Sequence, residues 1–205
     1  NPVTLVTFLI GPKDDLTKFV IHKEFACYHS PVLDAAFNGD FVEGQTQTYR
    51  LEDVSASAFR LFSQWIYTRK LELLQMSSKV KDITDSTPDP YLQQDMDLAM
   101  LWILADKFAM PRLQNGVILC MNHVSNSLQR LPQKTFHYIY ENTTPGSPLR
   151  KMTIYQCATE TAASFFEDTY DFPIQLLADV TQFLIKGKQP NSFPLLLSKD
   201  YCVPL

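Results

Sequence analysis

The sequence predicts an α+β chain, with strands and helices interleaved over the first seventy residues and helices from about residue 90 to the end. Three observations carry that reading. Runs dense in apolar and β-branched residues open the chain, Ser30 to Gly39 carries the punctuation of a short helix, and beyond residue 90 apolar residues recur at helical spacing.

The first run, "VTLVTFLI", is apolar or β-branched at nearly every position and predicts a strand buried on both faces, closed by Gly11-Pro12. "KFVI" follows the polar turn "KDDLT", so the two strands are expected to form a hairpin. In "SPVLDAAFNG", Ser30 is placed as N-cap, Pro31 at the first helical position and Gly39 after the end, with Val32, Leu33, Ala36 and Phe37 inward. "TQTYRLED" alternates as a third strand. Asp53 or Ser55 then caps a helix whose stripe is Phe59, Phe62 and Ile66.

Residues 76 to 90, "MSSKVKDITDSTPDP", are polar, end in two prolines and lack a period, which predicts an exposed loop insertion. Thr87-Pro88 within it is a chance-level phosphorylation dipeptide and supports no function. Next come two helices expected to pair antiparallel. One has a stripe of Leu98, Leu101, Trp102, Ala105, Phe108 and Ala109; the other starts at Pro111 and aligns Leu113, Val117, Cys120, Met121, Val124 and Leu128. Further helical segments are expected at 133–141, 149–164 and 174–185, the last with Ile174, Leu177, Ala178, Thr181, Leu184 and Ile185 on its inner face. No internal repeat is evident.

Composition narrows the function. A chain of 205 residues, 45% hydrophobic, can bury roughly 70% of its unfolded surface. Its net charge is -4, and Lys and Arg are scattered singly or in pairs, so no basic track for a phosphate backbone exists and nucleic acid is excluded as the expected ligand. The longest apolar run, Leu98 to Ala105, is far below the roughly 18 residues needed to cross a bilayer, so no membrane partner is expected. Four cysteines lie far apart without a CxxC pair, which argues for reduced thiols in an intracellular protein, cytoplasmic or nuclear.

His22, Cys27 and His29 are the residues around which a catalytic or metal-binding pattern would form. No two of them have the i, i+4 spacing by which one helix face offers two ligands, and no base, orienting group or oxyanion donor accompanies Cys27. Cys27 is expected as a small buried hydrophobe, with a Cys/His hydrolase kept only as a remote alternative. GxGxxG, GxxxxGK[ST] and GxSxG are all absent, and the acidic pairs sit at turns and caps. The sequence therefore predicts no catalytic residue, no metal and no cofactor. Fourteen Phe, nine Tyr and two Trp suit a core together with a protein interface.

The stretches "FVIHKEFACYHSPVLDAAFNGDFVEG" and "YRLEDVSASAFRLFSQWIYTRKLEL" resemble the BTB/POZ domain. The matching positions are His22, Lys23, Ser30, Phe41, Glu43, Leu51, Asp53, Val54, Trp65, Tyr67 and Thr68, and "ILADKFAMPRLQN" is similar to the helix pair that follows in that family. The resemblance implies a BTB/POZ fold, a small β-sheet flanked by a cluster of α-helices, over residues 1–127, with a helical extension over 128–205. "FHYIYENTTPGSPLRKM" in that extension resembles the helical tails of BTB proteins from filamentous fungi. It does not extend to the helix that precedes the first strand in many dimeric members, so their swapped dimer contact is not carried over.

Two functions follow from the resemblance. One is a noncatalytic protein-interaction module serving as substrate adaptor for a cullin-type ubiquitin ligase; the other is an oligomerisation scaffold, a homo-oligomer unrelated to ubiquitin transfer. For the first, Phe41-Val42-Glu43 matches the family's hydrophobic-x-Glu cullin contact, and Phe41, Glu43 and Tyr67 are the expected partner-binding residues. A competing reading makes Phe41 a cover for the local core and Glu43 a solvated turn residue.

Overall fold

The computed structural model describes residues 4–76, 90–128, 130–159, 172–186 and 203. Strand β1 (Leu5–Ile10) pairs antiparallel with β2 (Thr17–His22), Phe8 opposite Phe19, giving the expected hairpin. Gly11 between them has φ +101°, and a Cβ there would lie 2.7 Å from the carbonyl oxygen of Asp15, so only glycine suits the position. Strand β3 (Thr48–Leu51) pairs parallel with β1, and the three-stranded sheet runs β2-β1-β3. A parallel partner needs a crossover. Three short helices, α1 (Lys23–His29), α2 (Pro31–Asn38) and α3 (Val42–Thr46), supply it.

Among the described residues only one sheet face is fully buried. Val6, Phe8 and Ile10 are fully buried, whereas Leu5 is 50% exposed, so β1 alternates and is not buried on both faces as its composition suggested. Helix α4 (Ala56–Thr68) lies on that inner face, its Phe59 and Phe62 rings 5.0 and 6.4 Å from Phe8. Phe59, Phe62 and Ile66 are buried as the stripe predicted, and Ser55 rather than Asp53 is the cap, its Oγ accepting the Ala58 N–H at 3.0 Å.

Leu74–Met76 form a 3-10 turn and Pro90 is the first residue of the next helix, which trims the predicted loop at both ends; Thr87-Pro88 and the rest of that loop lie outside the described residues. Helix α5 (Pro90–Lys107) connects to α6 (Pro111–Leu128) through only Phe108, Ala109 and Met110, and the two pack together. Ala109 was expected in the apolar stripe. It is instead exposed with φ +50°, and the Met110 N–H reaches back to the Ala105 carbonyl at 2.8 Å, closing α5 as a left-handed cap does.

In the extension, α7 (Phe136–Asn142), α8 (Pro148–Thr159) and α9 (Ile174–Ile185) add Phe136, Ile139, Leu149, Met152, Leu176 and Val180 to the same hydrophobic core as the sheet. Arg150, nearly buried, donates to the carbonyls of Tyr140 and Thr143 and so ties α8 to the end of α7. The inner face expected for α9 is its outer one: Ile174 is 87% and Ile185 79% exposed, while Leu176 and Val180 point inward. Among the described residues no helix is long and apolar enough to cross a membrane.

Ser30 joins the two halves of this fold. Its Oγ accepts the Leu33 N–H at 3.0 Å to cap α2 and donates to the Phe108 carbonyl at 2.6 Å, fully buried. Ser30→Ala should lower unfolding stability by about 2 kcal/mol or more, since it removes a cap and orphans a buried acceptor, measurable as a reduced urea midpoint at unchanged slope.

Candidate functional site

The turn between α2 and β3 presents the residues that sequence matching singled out. Gly44 allows the turn to close, because a Cβ there would lie 2.0 Å from the Gly39 carbonyl oxygen. Two N–H groups, of Gly44 and Gln45, donate to the Phe41 carbonyl at 3.0 and 3.1 Å. Gln47, in the left-handed region at φ +50°, ends α3 and sends its Nε2 to the carbonyls of Gly44 (2.5 Å) and Phe37 (3.0 Å). The same Phe37 oxygen accepts Lys23 Nζ at 2.8 Å, which places an ammonium at the C-terminal end of α2, where the helix dipole favours it. The backbone is thus held from three sides.

What that backbone displays is apolar. Phe41 is 65% and Val42 69% exposed, so Phe41 does not cover the core. Glu43 beside them is half-buried, and among the described residues no cation pairs with it. Its carboxylate lies near enough to Tyr49 on β3 to add to burial in raising that phenol's pKa.

Tyr67 belongs to a different cluster. Its hydroxyl accepts the His22 backbone N–H at 3.0 Å and is hydrogen-bonded to His22 Nδ1 at 2.8 Å, so the backbone and the ring of His22 are both tied to Tyr67. The Tyr67 ring, 43% exposed, packs 5.1 Å from Phe25 and 5.7 Å from His22. Phe41, Val42 and Glu43 share one turn that packs on α2 and β3, whereas Tyr67 joins β2 and α1. Sequence reasoning passed over Val42 and Phe25, both exposed; adjacency to Phe41 was the available signal for the first, and the second sits on a helix too short to show a period.

Cys27, on α1, makes only long contacts, its Sγ 3.9 Å from both the Leu33 carbonyl and Asn38 Nδ2. Burial first, and then the Asp34 carboxylate, raise its pKa, which is opposite to what a nucleophilic thiolate needs. Cys120 is raised by burial alone. Cys27 and Cys120 are free thiols, Cys157 is buried, Cys202 lies outside the described residues, and no group of three metal-ligating side chains occurs among the described residues.

Comparison with protein families matches residues 6–118 to the BTB/POZ domain, inside the stretch the sequence resemblance covered. No curated protein matches the chain.

Two outcomes follow from the geometry. Gly44→Ala should destabilise the domain by about 2 kcal/mol, within the range for forced overpacking, and shift the amide resonances of Phe41 to Glu43 in a 1H–15N spectrum. Cys27 in the folded chain should react with a maleimide at neutral pH well below the rate of the urea-unfolded chain; faster labelling when folded would restore the hydrolase reading.

Proposed function

The chain belongs to the BTB/POZ family, and from that premise we propose that it is a noncatalytic protein-interaction module acting as substrate adaptor for a cullin-type ubiquitin ligase, with Phe41 and Glu43 at the cullin contact. One observation carries the reading. Phe41 and Val42 are both more than half exposed on a turn whose backbone is fixed, beside a carboxylate with no cation partner among the described residues. A rigid apolar knob loses little entropy when a pocket closes over it, and the neighbouring charge fixes its orientation. Tyr67, with Phe25, is proposed as a second contact, separate from that turn. The helices after residue 127 are read as an extension that carries the adaptor's other partner.

A second reading, the oligomerisation scaffold, is favoured by α9, where Ile174, Leu184 and Ile185 face outward. It calls for self-association without cullin binding. The two separate in one experiment: titration of the chain with the amino-terminal region of the cullin that serves BTB adaptors, beside sedimentation of the chain alone. The adaptor reading expects a Kd of about 1 μM or tighter, weakened roughly thirtyfold, about 2 kcal/mol, in the Phe41→Ala, Glu43→Lys double variant. No heat from a folded chain that sediments as an oligomer gives the scaffold instead.

A further inference from the structure

Three helix ends meet at an open cleft of about 390 Å3. The end of α1 contributes Tyr28 and His29, the end of α4 contributes Trp65 and Arg69, and Met110, Pro111 and Arg112 lead into α6. None of these residues belongs to the Phe41–Glu43 turn.

Arg69 occupies an unusual backbone position. It has φ +60°, the left-handed conformation that Gln47 and Ala109 also adopt at helix ends and that costs a residue with a Cβ more than glycine, and its N–H donates to the Trp65 carbonyl at 2.9 Å to end α4. Strain of this kind collects where a side chain is needed in one place. Here it returns the guanidinium over the indole of Trp65, with Cζ 4.2 Å from the ring centroid. His29 stands against the same indole at 5.5 Å, and Tyr28 packs 4.7 Å from His29.

The second guanidinium, Arg112, is close enough that, after burial, it pushes the Arg69 pKa down. Burial, then Arg69, and more weakly Arg112, likewise hold His29 below the ordinary imidazole range, against a partial offset from the Ile66 backbone. Among the described residues no carboxylate lines the cleft, and none of the ion pairs involves either arginine. In a chain of net charge -4, two arginines line one cleft, and among the described residues neither has a carboxylate partner.

We infer that this cleft docks an acidic segment of a partner protein, a carboxylate lying between Arg69 and Arg112 and an adjoining apolar side chain seated against the ring of Tyr28, which lines the cleft and is 80% exposed. A planar guanidinium pairs with carboxylate through two parallel hydrogen bonds, and a flat apolar wall beside it selects a peptide over a free anion. Two arginines without an extended basic track suit one or two carboxylates rather than a nucleic-acid backbone.

The test uses the full chain and a synthetic peptide with two adjacent glutamates between leucines, against its glutamine counterpart, read by the fluorescence of Trp65. The glutamate peptide should bind at least about tenfold more tightly than the glutamine one, and weaken on added salt. Arg69→Gly and Arg112→Gln should each weaken the glutamate peptide about tenfold or more. Because glycine suits the φ of residue 69, Arg69→Gly should keep its denaturation midpoint, so lost binding is not lost folding. Both variants should leave the cullin titration unchanged, which lets the two proposals fail separately. Equal binding of the two peptides, no binding of either, wild-type affinity in the double variant, or preference for a single-stranded oligonucleotide of equal charge would each overturn the assignment.

Discussion

Burial of α5 on nearly every side is the constraint around which the other elements are arranged. Its apolar residues, including Leu98, Leu101, Trp102 and Leu104, meet the core, and Gln94, Asp95 and Asp97 are buried with them. A carboxylate withdrawn from water is costly by several kcal/mol unless its oxygens find donors. Asp97 Oδ1 accepts from Ser55 and Ser57 at the start of α4, both at 2.8 Å, and from Gln93 at 3.0 Å. Asp95 meets the Arg130 guanidinium at 2.8 Å just past α6 and accepts Gln75 Nε2 at 2.9 Å. Gln94 accepts the Gln75 N–H at 3.0 Å. Between them these buried polar groups reach three other parts of the chain, the start of α4, the turn at Gln75 and the segment just past α6, so satisfying one helix fixes the places of three neighbours.

Where local chemistry decides an element, the sequence revealed it. Helix α2 was legible because Ser30, Pro31 and Gly39 act within ten residues of one another, and α4 because Ser55 and a clean apolar stripe act together. Helices α1 and α3 were less visible, with seven and five residues, no side-chain cap, and in α3 a glycine inside. The pairing of β3 with β1 depends on a crossover that no local pattern encodes. For α9 the periodicity was real and its direction was not recoverable, since Leu176 and Val180 form one apolar face and Ile174, Leu177 and Ile185 another. Which face turns inward is set by what α7 and α8 offer.

The candidate site divides along the same line. Several residues by which the family was recognised hold backbone in place: Lys23 and Ser30 bond the carbonyls of Phe37 and Phe108, and Thr68 Oγ1 bonds the Gln64 carbonyl at 2.8 Å near the end of α4. Leu51, Val54 and Trp65 are core. Phe41 was legible only through its resemblance to the family, because an exposed phenylalanine leaves no periodic trace. The cleft at Arg69 left still less, since the conformation that makes this arginine unusual is a property of the folded backbone.

Within the turn, neighbouring positions answer to different selective pressures. Gly44 is held by a backbone approach that no other residue fits, while Phe41 and Val42 stand largely outside the core and owe it little. A substitution at Phe41 or Val42 would therefore alter the surface the turn presents without disturbing the packing of the interior. The frame and the display are thus mechanically separate, and the chemistry of the exposed face can be changed while the turn that carries it keeps its shape.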